Sequence, residues 1–305
     1  MIDLSIVILN WNVRELLERC LASLRSDRCA LEIIVVDNAS HDGSVAMVRA
    51  KYPQATLIAN TENRGFTGGN NQGIAASHGR YVLVLNPDTE VLGDALDWMV
   101  AYLDEYPEVG ALGPQLLNPD RSIQSSRRRF PTLTTAFFES TWLQGVAPRG
   151  ILAHYYMDDV LPDHTHEVDW LNGACTVFRR EAIDRVGVYD AQNFFMYSEE
   201  LDLCRRVKEA DWKIVYLSEA QVMHYVGKSS DQAVAARHIH FQTSKVHYFR
   251  KWHGAFRANL LRVFLLGSYL WQIGLESMKG LLGSKRELRR QRAQVYWQVV
   301  RTGLK

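Results

Sequence analysis

The sequence predicts an α/β fold in which a mostly parallel central sheet is flanked by helices, with a basic helical extension at the C-terminus. Residues 1–90 alternate short, continuously apolar segments with segments whose apolar residues recur at helical spacing. Strands that are apolar on both faces are typical of parallel sheets covered by helices on both sides. Several of these segments end in polar or acidic residues, as expected where such a sheet binds ligands at the carboxyl ends of its strands.

The first 117 residues supply most of the predicted sheet. Helical spacing is clearest over Val13–Leu24, and Pro53 ends the helix that begins at Ser44. We expect strands at Leu4–Leu9, Leu31–Val36, Thr56–Ala59, Tyr81–Leu85 and Ala111–Leu117. We expect helices at Val13–Leu24, Ser44–Tyr52, Asn70–Ser77 and Ala95–Tyr106.

Residues 118–167 show no clear period. They predict a long active-site or acceptor loop, although a solvated excursion explains any single residue there equally well. Regular structure returns at Val168–Phe178, followed by a helix from Arg180 and a late strand at Ile214–Leu217.

Charge is divided unevenly along the chain, although the formal net charge is only +1. Residues 237–305 contain 14 Lys and Arg against 2 Asp and Glu, whereas residues 1–236 contain 21 against 32. We therefore predict an acidic α/β domain at 1–236 and a basic helical region at 237–305. Basic tails bind phosphates, either on nucleic acid or on anionic lipid.

The apolar stretch of this tail, Val263–Leu275, favours lipid over nucleic acid. It is too short for a membrane span, which needs about 20 apolar residues. Its Trp, Tyr and Leu residues flanked by Arg and Lys are typical of a helix that lies in a membrane interface. The alternatives are a helix packed on the main domain and a helix that forms a homodimer contact.

The four cysteines are scattered and form no CxxC motif, which argues against a disulfide framework or a zinc site and favours a reducing compartment. The apolar N-terminus lacks a basic region and a cleavage site, so it predicts a first strand rather than a signal peptide. Both features fit a cytoplasmic protein.

Two polar segments after strands could contact a nucleotide. Asn10 and Asn12 follow the first strand. Asp37 ends the second strand, where a carboxylate could accept a hydrogen bond from a base or a ribose. Helix capping by Ser40 or Asp42 is an alternative for this segment and is compatible with that role.

A glycine-rich segment, ENRGFTGGNNQG over Glu62–Gly73, could approach phosphates closely because its glycines permit positive φ. A helix that starts near Asn70 would direct its amides at an anion. The segment matches neither GxGxxG nor GxxxxGK[ST], which disfavours classical dinucleotide binding and ATPase activity.

Asp88, in the segment LVLNPDTEV, is a candidate metal ligand at the end of a strand. Mg²⁺ or Mn²⁺ commonly takes one or two carboxylates and completes its shell with substrate phosphates and water. Asp88 therefore suggests a substrate that bears a diphosphate, whereas an Asp in a tight turn after Pro is the alternative. His224 follows a later strand and is a plausible second ligand if it lies near Asp88, although a lone His is more often structural.

Three acids are clustered in FFMYSEELDLCRR, namely Glu199, Glu200 and Asp202. Clustered carboxylates repel one another, so a site that keeps them commonly needs a base with a raised pKa or faces a cation. Such a base could remove a proton from an incoming hydroxyl. A solvated helix start is the alternative, because acids favour helix N-termini.

Taken in order, the motifs NWN, DNASHDGS, ENRGFTGGN, NPD, WLNGACTVFRREA, YSEELDLCRR and HYVGKSS resemble those of family 2 inverting glycosyltransferases of the GT-A fold. The resemblance covers roughly residues 3–230 and is strongest to the bacterial rhamnosyltransferase branch. Each motif is weak alone, but seven in the same order make a specific pattern.

The resemblance implies a role for each matching residue. For donor binding, with Asp37 on the pyrimidine base, it implies Asn10, Asn12, Asp37, Asn63, Gly65, Phe66, Asn70, Asn86 and Asp88. For the sugar and the acceptor, it implies Trp170, Asn172, Gly173 and Ala174. For a divalent cation, Mg²⁺ or Mn²⁺, it implies Asp88 with His224.

Two positions depart from the family pattern. The family base lies in an acidic pair, commonly Glu-Asp, which here is Glu199-Glu200. By position the base is Glu200, with Glu199 as the alternative. Asn86 replaces the first acid of the DxD motif, a change that related rhamnosyltransferases tolerate but that weakens the expected metal affinity.

The function implied by the resemblance is an inverting transfer of a sugar, best matched by L-rhamnose from dTDP-rhamnose, to a lipid-linked glycan in cell-surface polysaccharide synthesis. The enzyme would act peripherally on the inner face of the cell membrane, with its tail on anionic lipid and no nucleic acid as a partner. A UDP-hexose or galactofuranose donor is the alternative within the same fold. A nucleotide-sugar-binding protein without turnover is the alternative of another class.

Overall fold

The computed structural model describes residues 1–139, 141–225, 233–283 and 285–305, and the chain divides into two compact units. The first unit comprises Met1–Phe130, Tyr156–Phe195 and Glu199–Ser229, and the second comprises Pro131–Tyr155, Met196–Ser198 and Ser230–Lys305. The domain boundary expected at residue 236 stays a prediction.

Strands lie in the first unit, and each strand expected over residues 1–117 is present within two residues of its predicted bounds. In chain order the strands are β1 (Leu4–Asn10), β2 (Leu31–Asp37), β3 (Thr56–Ala59), β4 (Tyr81–Leu85), β5 (Thr89–Val91), β6 (Val109–Leu117), β7 (Arg127–Arg128), β8 (His166–Glu167), β9 (Trp170–Leu171), β10 (Cys175–Arg179) and β11 (Lys213–His224).

Helices are found in both units. In chain order they are α1 (Arg14–Ser23), α2 (Ser44–Lys51), α3 (Gly65–Ala75), α4 (Ala95–Glu105), α5 (Leu133–Phe138), α6 (Arg149–Tyr156), α7 (Arg180–Val186), α8 (Glu199–Glu209), α9 (Val234–Leu282) and α10 (Arg286–Thr302), with a 3₁₀ turn at Trp142–Val146.

Over the described residues, nine strands form one sheet in the order β3-β2-β1-β4-β10-β6-β11-β5, with β8 paired to β11. Strand β1 is parallel to β2 and β4, β2 is parallel to β3, and β6 is parallel to β11. Strands β5 and β10 run antiparallel to their neighbours. Strands β2 and β3 are added on one side of β1, and the chain then crosses back to place β4 on the other side of β1. This reversal opens a crevice at the carboxyl ends of β1 and β4, where such sheets bind ligands.

Both faces of the sheet are buried, which explains the continuous apolar strands. In β1, Ile6 and Ile8 pack into one apolar cluster and Val7 into another. Successive side chains of a strand point to opposite faces. Leu17 of α1 covers the first face and Ile74 of α3 covers the second, so the predicted mostly parallel sheet flanked by helices is confirmed.

Helix α3 begins at Gly65, five residues before the predicted start near Asn70, so the expectation that amides at Asn70 open the helix is wrong. Gly65 has a φ of +75°, and a Cβ built on it would lie 2.6 Å from the Phe195 carbonyl oxygen. That oxygen accepts a hydrogen bond from the Phe66 amide at 2.8 Å. A distant segment therefore fixes the start of this helix, and Asn70 lies inside it.

The expectation of an irregular stretch over residues 118–167 is also wrong. This stretch contains β7, helices α5 and α6, the 3₁₀ turn and β8. Each of these elements has eight residues or fewer, which is too short for a helical or strand period to stand out.

Strand β11 is longer than the predicted Ile214–Leu217 because it continues past an irregularity. Its pairing with β6 shifts register between Leu217 and Gln221, and the strand then runs on to His224. Beyond Leu217, β11 pairs with β5, where His224 lies opposite Thr89. Because the strand continues past this irregularity, His224 lies next to the segment that contains Asp88. The rest of the HYVGKSS motif, residues 226–230, lies outside the described residues.

The second unit is helical. Helix α9 is interrupted at Gly254, whose φ of +84° is not helical. Helix α10 lies antiparallel along α9, with the Tyr269 and Tyr296 rings 5.5 Å apart and Arg289 Nη1 2.8 Å from Glu276 Oε2. Over the described residues, the helices include no stretch that is apolar for the length needed to cross a bilayer.

All four cysteines are free. Cys20, Cys175 and Cys204 are buried in the first unit, whereas Cys29 is half-buried just before β2 begins.

Candidate active site

The carboxyl ends of β1 and β2 carry a connected polar network. Asn10 is paired with Asp37 in the parallel ladder, and its side-chain Nδ2 donates to Asp37 Oδ2 at 2.8 Å. The Ser40 amide donates to the other carboxylate oxygen at 2.9 Å. Asn12 adopts a left-handed φ of 53°, and its Oδ1 accepts from the His41 amide at 2.8 Å. The structure therefore brings Asn10, Asn12 and Asp37 together.

This network retains capacity for a ligand. Asn10 Oδ1 is buried and has no hydrogen-bond partner. The two oxygens of an ionised carboxylate offer about four lone-pair sites, so Asp37 can accept further donors. An unpartnered buried acceptor beside a buried carboxylate is suited to the N–H and O–H groups of a base or ribose.

The glycine-rich segment folds against the network through Asn38. The Asn38 Nδ2 donates to Asn63 Oδ1 at 3.2 Å and to the Gly65 carbonyl at 3.0 Å. Asn63 Oδ1 also accepts from the Gly65 amide at 2.9 Å. Asn70 Nδ2 donates to the Phe66 carbonyl at 2.9 Å, which leaves Asn70 Oδ1 buried without a partner. The four residues expected in this loop are therefore held together, with one more free acceptor.

Asp88 and His224 form a buried pair. His224 Nε2 lies 3.4 Å from Asp88 Oδ1, and the Tyr225 amide donates to the Asp88 carbonyl at 2.8 Å. On its other side, His224 Nδ1 lies 2.7 Å from Gln124 Oε1. The Gln124 oxygen can only accept, so Nδ1 carries the proton. In the neutral ring this leaves Nε2 as an acceptor that faces the carboxylate.

Two acceptors at this separation fit one cation. Adjacent ligands of an octahedral Mg²⁺ or Mn²⁺ lie about 3 Å apart, given metal–ligand bonds of roughly 2.1 Å. Among the described residues, no group of three or more His, Cys, Asp and Glu could hold a metal alone. Asp88 and His224 would therefore supply two positions, and oxygens of a substrate phosphate and water would fill the rest.

The segment Trp170–Ala174 contacts both the segment that contains Asn86 and helix α8, which begins with the acidic pair. The Ala174 carbonyl accepts from the Asn86 amide at 2.8 Å, and the Asn172 amide donates to the Ser126 carbonyl at 2.8 Å. Trp170 Nε1 is tied to the Arg129 carbonyl at 3.0 Å. Because Gly173 has no side chain, the Glu200 side chain borders it, and a Cβ built there would lie 3.6 Å from Glu200 Cγ.

Glu199 and Glu200 open helix α8 as two carboxyls in a desolvated position. Burial raises the pKa of both, and the charge of Glu200 raises the pKa of Glu199 further. A hydrogen bond between the two carboxyls raises the pKa of Glu199 and lowers that of Glu200. The contact between the two carboxyls therefore favours ionisation of Glu200 over ionisation of Glu199. One Oε2 atom on each is buried without a partner.

Asp202, the third acid of the cluster, has a structural partner. It is fully buried, and Arg206 Nε donates to its Oδ2 at 3.0 Å. Because this ion pair within helix α8 satisfies its charge, Asp202 has a structural role, unlike the two glutamates.

Sequence reasoning overlooked Asn38, Gln124 and the backbone of Phe195. Asn38 lies within the DNASHDGS motif, and its amide side chain next to Asp37 could have identified it as a site residue. Gln124 falls in the stretch expected to be irregular. The Phe195 contact with Gly65 joins residues 130 positions apart, so nothing local in the sequence indicates it.

Comparisons with known proteins bear on the family and the fold of this chain. A family model described as glycosyl transferase family 2 matches residues 5–187. The chain is 29% identical to N-acetylglucosaminyl-diphospho-decaprenol L-rhamnosyltransferase of Mycobacterium tuberculosis, over 93% of this chain and 95% of that protein. It is 25% identical to rhamnosyltransferase WbbL of Escherichia coli, over 72% of this chain and 82% of that protein.

Among solved structures, a similar fold is that of mannosyltransferase PcManGT from Pyrobaculum calidifontis, in complex with GDP-Man and Mn²⁺. The TM-score is 0.58 at 18% sequence identity, and the match covers 99% of this chain and 84% of that one. At this identity the likeness concerns the fold.

Proposed function

Because the chain belongs to glycosyl transferase family 2, and is therefore a glycosyltransferase, we propose that it moves L-rhamnose from a nucleotide-sugar donor to a lipid-linked glycan. The observation that carries the proposal is the similarity to the mycobacterial L-rhamnosyltransferase, which spans both units of this chain. We propose dTDP-rhamnose as the donor and a sugar on a polyprenyl diphosphate as the acceptor.

The donor would lie in the crevice at the carboxyl ends of β1, β2 and β4. Asp37, with Asn10 and Asn12 beside it, would receive the base and ribose, and the loop from Asn63 to Asn70 would enclose the nucleotide. The unpartnered oxygens of Asn10 and Asn70 support this assignment, because buried acceptors are normally satisfied by a partner. Asn86 and Asp88 would then lie along the diphosphate.

Asp88 and His224 would hold the divalent cation. The cation supplies positive charge that stabilises the leaving diphosphate. Gln124 orients the His224 ring by accepting from Nδ1, so that Nε2 faces Asp88. The donor titration described below compares Mg²⁺ with Mn²⁺ as the bound cation.

Glu200 would act as the general base. Its carboxylate removes the proton from the acceptor hydroxyl, and that oxygen forms a bond to the anomeric carbon while the bond to the diphosphate breaks. Attack from the opposite face inverts the configuration, and the nucleoside diphosphate leaves. A carboxyl whose pKa is raised by burial is a stronger base than an exposed one, which supports this role.

The second unit would bind the inner face of the cell membrane. Phe256 is 81% exposed, and Trp271, Leu281 and Leu282 are also exposed on helix α9. Exposed large apolar side chains beside a surplus of Lys and Arg suit an anionic lipid surface. Such a surface would bring the enzyme to a membrane-held acceptor.

The test of the proposed function is a donor titration followed by a transfer assay. Calorimetry would compare dTDP-rhamnose, UDP-glucose, UDP-galactose and UDP-galactofuranose, each with Mg²⁺, with Mn²⁺ and with a chelator. We expect metal-dependent binding of dTDP-rhamnose and release of dTDP when a GlcNAc-diphospho-polyprenol acceptor is added. Preference for a UDP-sugar would overturn the donor, and binding without product would overturn the catalytic assignment.

A further inference from the structure

A cavity lies beside the candidate active site, within the first unit. It has a volume of about 170 Å³ and is lined by Gln124, Ser126, Arg127, Asp158 and Tyr216, among others. A liquid water occupies about 30 Å³, so the cavity has room for a group several times larger.

Arg127 gives this cavity a buried positive charge. The residue is 8% exposed, its Nη2 donates to the Val160 carbonyl at 2.8 Å, and its guanidinium lies 5.4 Å from the Tyr216 ring centre. Its Nη1 is buried and has no hydrogen-bond partner. Among the described residues, no carboxylate forms an ion pair with it. Asp163 is near enough for this guanidinium to lower its pKa, but Asp163 is exposed, so Arg127 lacks a buried anion, and a buried charge without such a partner is costly.

Ser126 adds a second unsatisfied group. It is 3% exposed, lines the cavity, and its hydroxyl has no partner. Asp158, the acid on the lining, is exposed, so its charge is screened by water. The buried groups that remain free are therefore a guanidinium and a hydroxyl, which are common ligands of phosphate.

The cavity is connected to two parts of the active site. The Ser126 carbonyl accepts from the Asn172 amide, and Arg127 pairs with Leu171 in the short β7–β9 ladder. Gln124, also on the lining, contacts His224 of the Asp88–His224 pair. An acceptor whose sugar lies at Gly173 and Glu200 would therefore extend toward Arg127.

We propose that this cavity binds a phosphate of the acceptor through Arg127 and Ser126. The enzyme would in this way recognise the diphosphate that links the acceptor sugar to its lipid. The inference rests on the proposed function, because it assumes a phosphate-linked acceptor. A neutral sugar in the same cavity would leave Arg127 without a buried anion. Arg127 is here a specificity residue that acts at a distance from the reacting atoms.

The first test compares two acceptors with the wild-type enzyme and three variants. One acceptor carries GlcNAc on a diphosphate lipid, and the other carries GlcNAc on an uncharged alkyl chain. We expect Arg127→Gln to lower kcat/KM for the diphosphate acceptor roughly 10- to 100-fold, as loss of a charged hydrogen bond predicts, and to leave the uncharged acceptor unchanged. Ser126→Ala should give a smaller loss with the same selectivity.

The matched control is Arg129→Gln, because Arg129 belongs to the same basic run but pairs with exposed Asp159 at 2.7 Å. It should keep the preference for the diphosphate acceptor. Equal losses on both acceptors for Arg127→Gln, or no loss on either, would overturn the inference while wild-type transfer still upholds the proposed function.

The second test does not depend on turnover. With the donor site saturated by nucleoside diphosphate and metal, pyrophosphate would be titrated into the full-length protein. We expect a further binding event in the wild type and in Arg129→Gln that is lost in Arg127→Gln. Inorganic phosphate, compared in a parallel titration, separates recognition of any phosphate from recognition of a diphosphate. Absence of the event in the wild type would overturn the site.

Discussion

Glu199 and Glu200 are neighbours in sequence, and the contact between their carboxyls acts on their pKa values in opposite directions. It raises the pKa of Glu199 and lowers that of Glu200, which favours Glu200 as the ionised base. We expect Glu200→Gln to lower kcat by about 10²- to 10⁴-fold, the usual contribution of a general base, with little change in donor affinity. Steady-state kinetics together with donor calorimetry would check this. Normal turnover in Glu200→Gln would move the base to Glu199.

The pH dependence of activity tests the same pair. Glu200 must be ionised to act, so kcat/KM should rise as the pH increases through its raised pKa. Glu199→Leu removes the hydrogen bond that lowers the pKa of Glu200, so the acid limb should move to higher pH. Glu199→Gln keeps a donor and should leave the limb near that of the wild type. An equal shift in both variants, or a shift to lower pH, would contradict this arrangement.

Gln124 offers a test of the metal site that removes no ligand. Its Oε1 holds the His224 ring, and loss of such a partner typically lowers metal affinity 10- to 100-fold. We expect Gln124→Leu to raise by that factor the metal concentration needed for half-maximal donor binding. Gln54→Leu, an exposed substitution of the same kind, is the control. An unchanged metal requirement would mean that His224 does not bind the metal.

At the scale of single elements, the start of α3 depends on one glycine. Gly65→Ala should weaken both folding and donor binding, because its φ of +75° disfavours a side chain and the new Cβ would clash with the Phe195 carbonyl. Gly93→Ala is a matched control, since Gly93 also has a positive φ of +53° but has open space around its Cβ position.

We expect Gly93→Ala to cost about 1 kcal/mol in the free energy of unfolding and Gly65→Ala a further 1–3 kcal/mol. Chemical denaturation would measure both. If the two variants lose equal stability, then the contact with Phe195 does not determine where α3 begins.

The elements also show what the sequence could and could not predict. Strands such as Tyr81–Leu85 were located correctly because burial on both faces leaves a continuous apolar run. Helix α5 and the β7–β9 ladder were missed because they are shorter than the period that would reveal them. The start of α3 was misplaced because a contact with Phe195 determines it.

The residues of the candidate site also divide into those that the sequence could predict and those that it could not. The residues at strand ends, such as Asp37 and Asp88, could be found because topology alone brings such ends together. Gln124 could not be found, since it reaches His224 from a stretch without a pattern. The raised pKa values of the acidic pair depend on burial, which a sequence does not give.

At the scale of the whole molecule, the basic helical unit predicts membrane binding that depends on both charge and apolar contact. We expect full-length protein to sediment with anionic liposomes, less so at high salt, because screening weakens the attraction of its Lys and Arg. Phe256→Ser combined with Trp271→Ser should reduce the bound fraction several-fold, since both side chains are exposed.

Trp98→Ser is the control for this measurement, because Trp98 is 55% exposed, as Trp271 is, but lies on α4 of the acidic unit. Its binding should equal that of the wild type. Equal loss in the control, or no sedimentation of the wild type, would remove the membrane surface from the partners of this protein.

The distribution of thiols makes the protein convenient for site-selective labelling. Burial raises the pKa of Cys20 and of Cys204 to about 12 and also raises that of Cys175, so all three resist alkylation in the folded state. Cys29 is only half-buried and is the most accessible of the four thiols, although burial raises its pKa as well; it precedes the amino end of β2, away from the donor crevice at the carboxyl ends of the strands. A maleimide dye should therefore attach once to the native enzyme and four times after denaturation. A fluorophore placed there could report ligand binding without engineering and without obstructing the substrates.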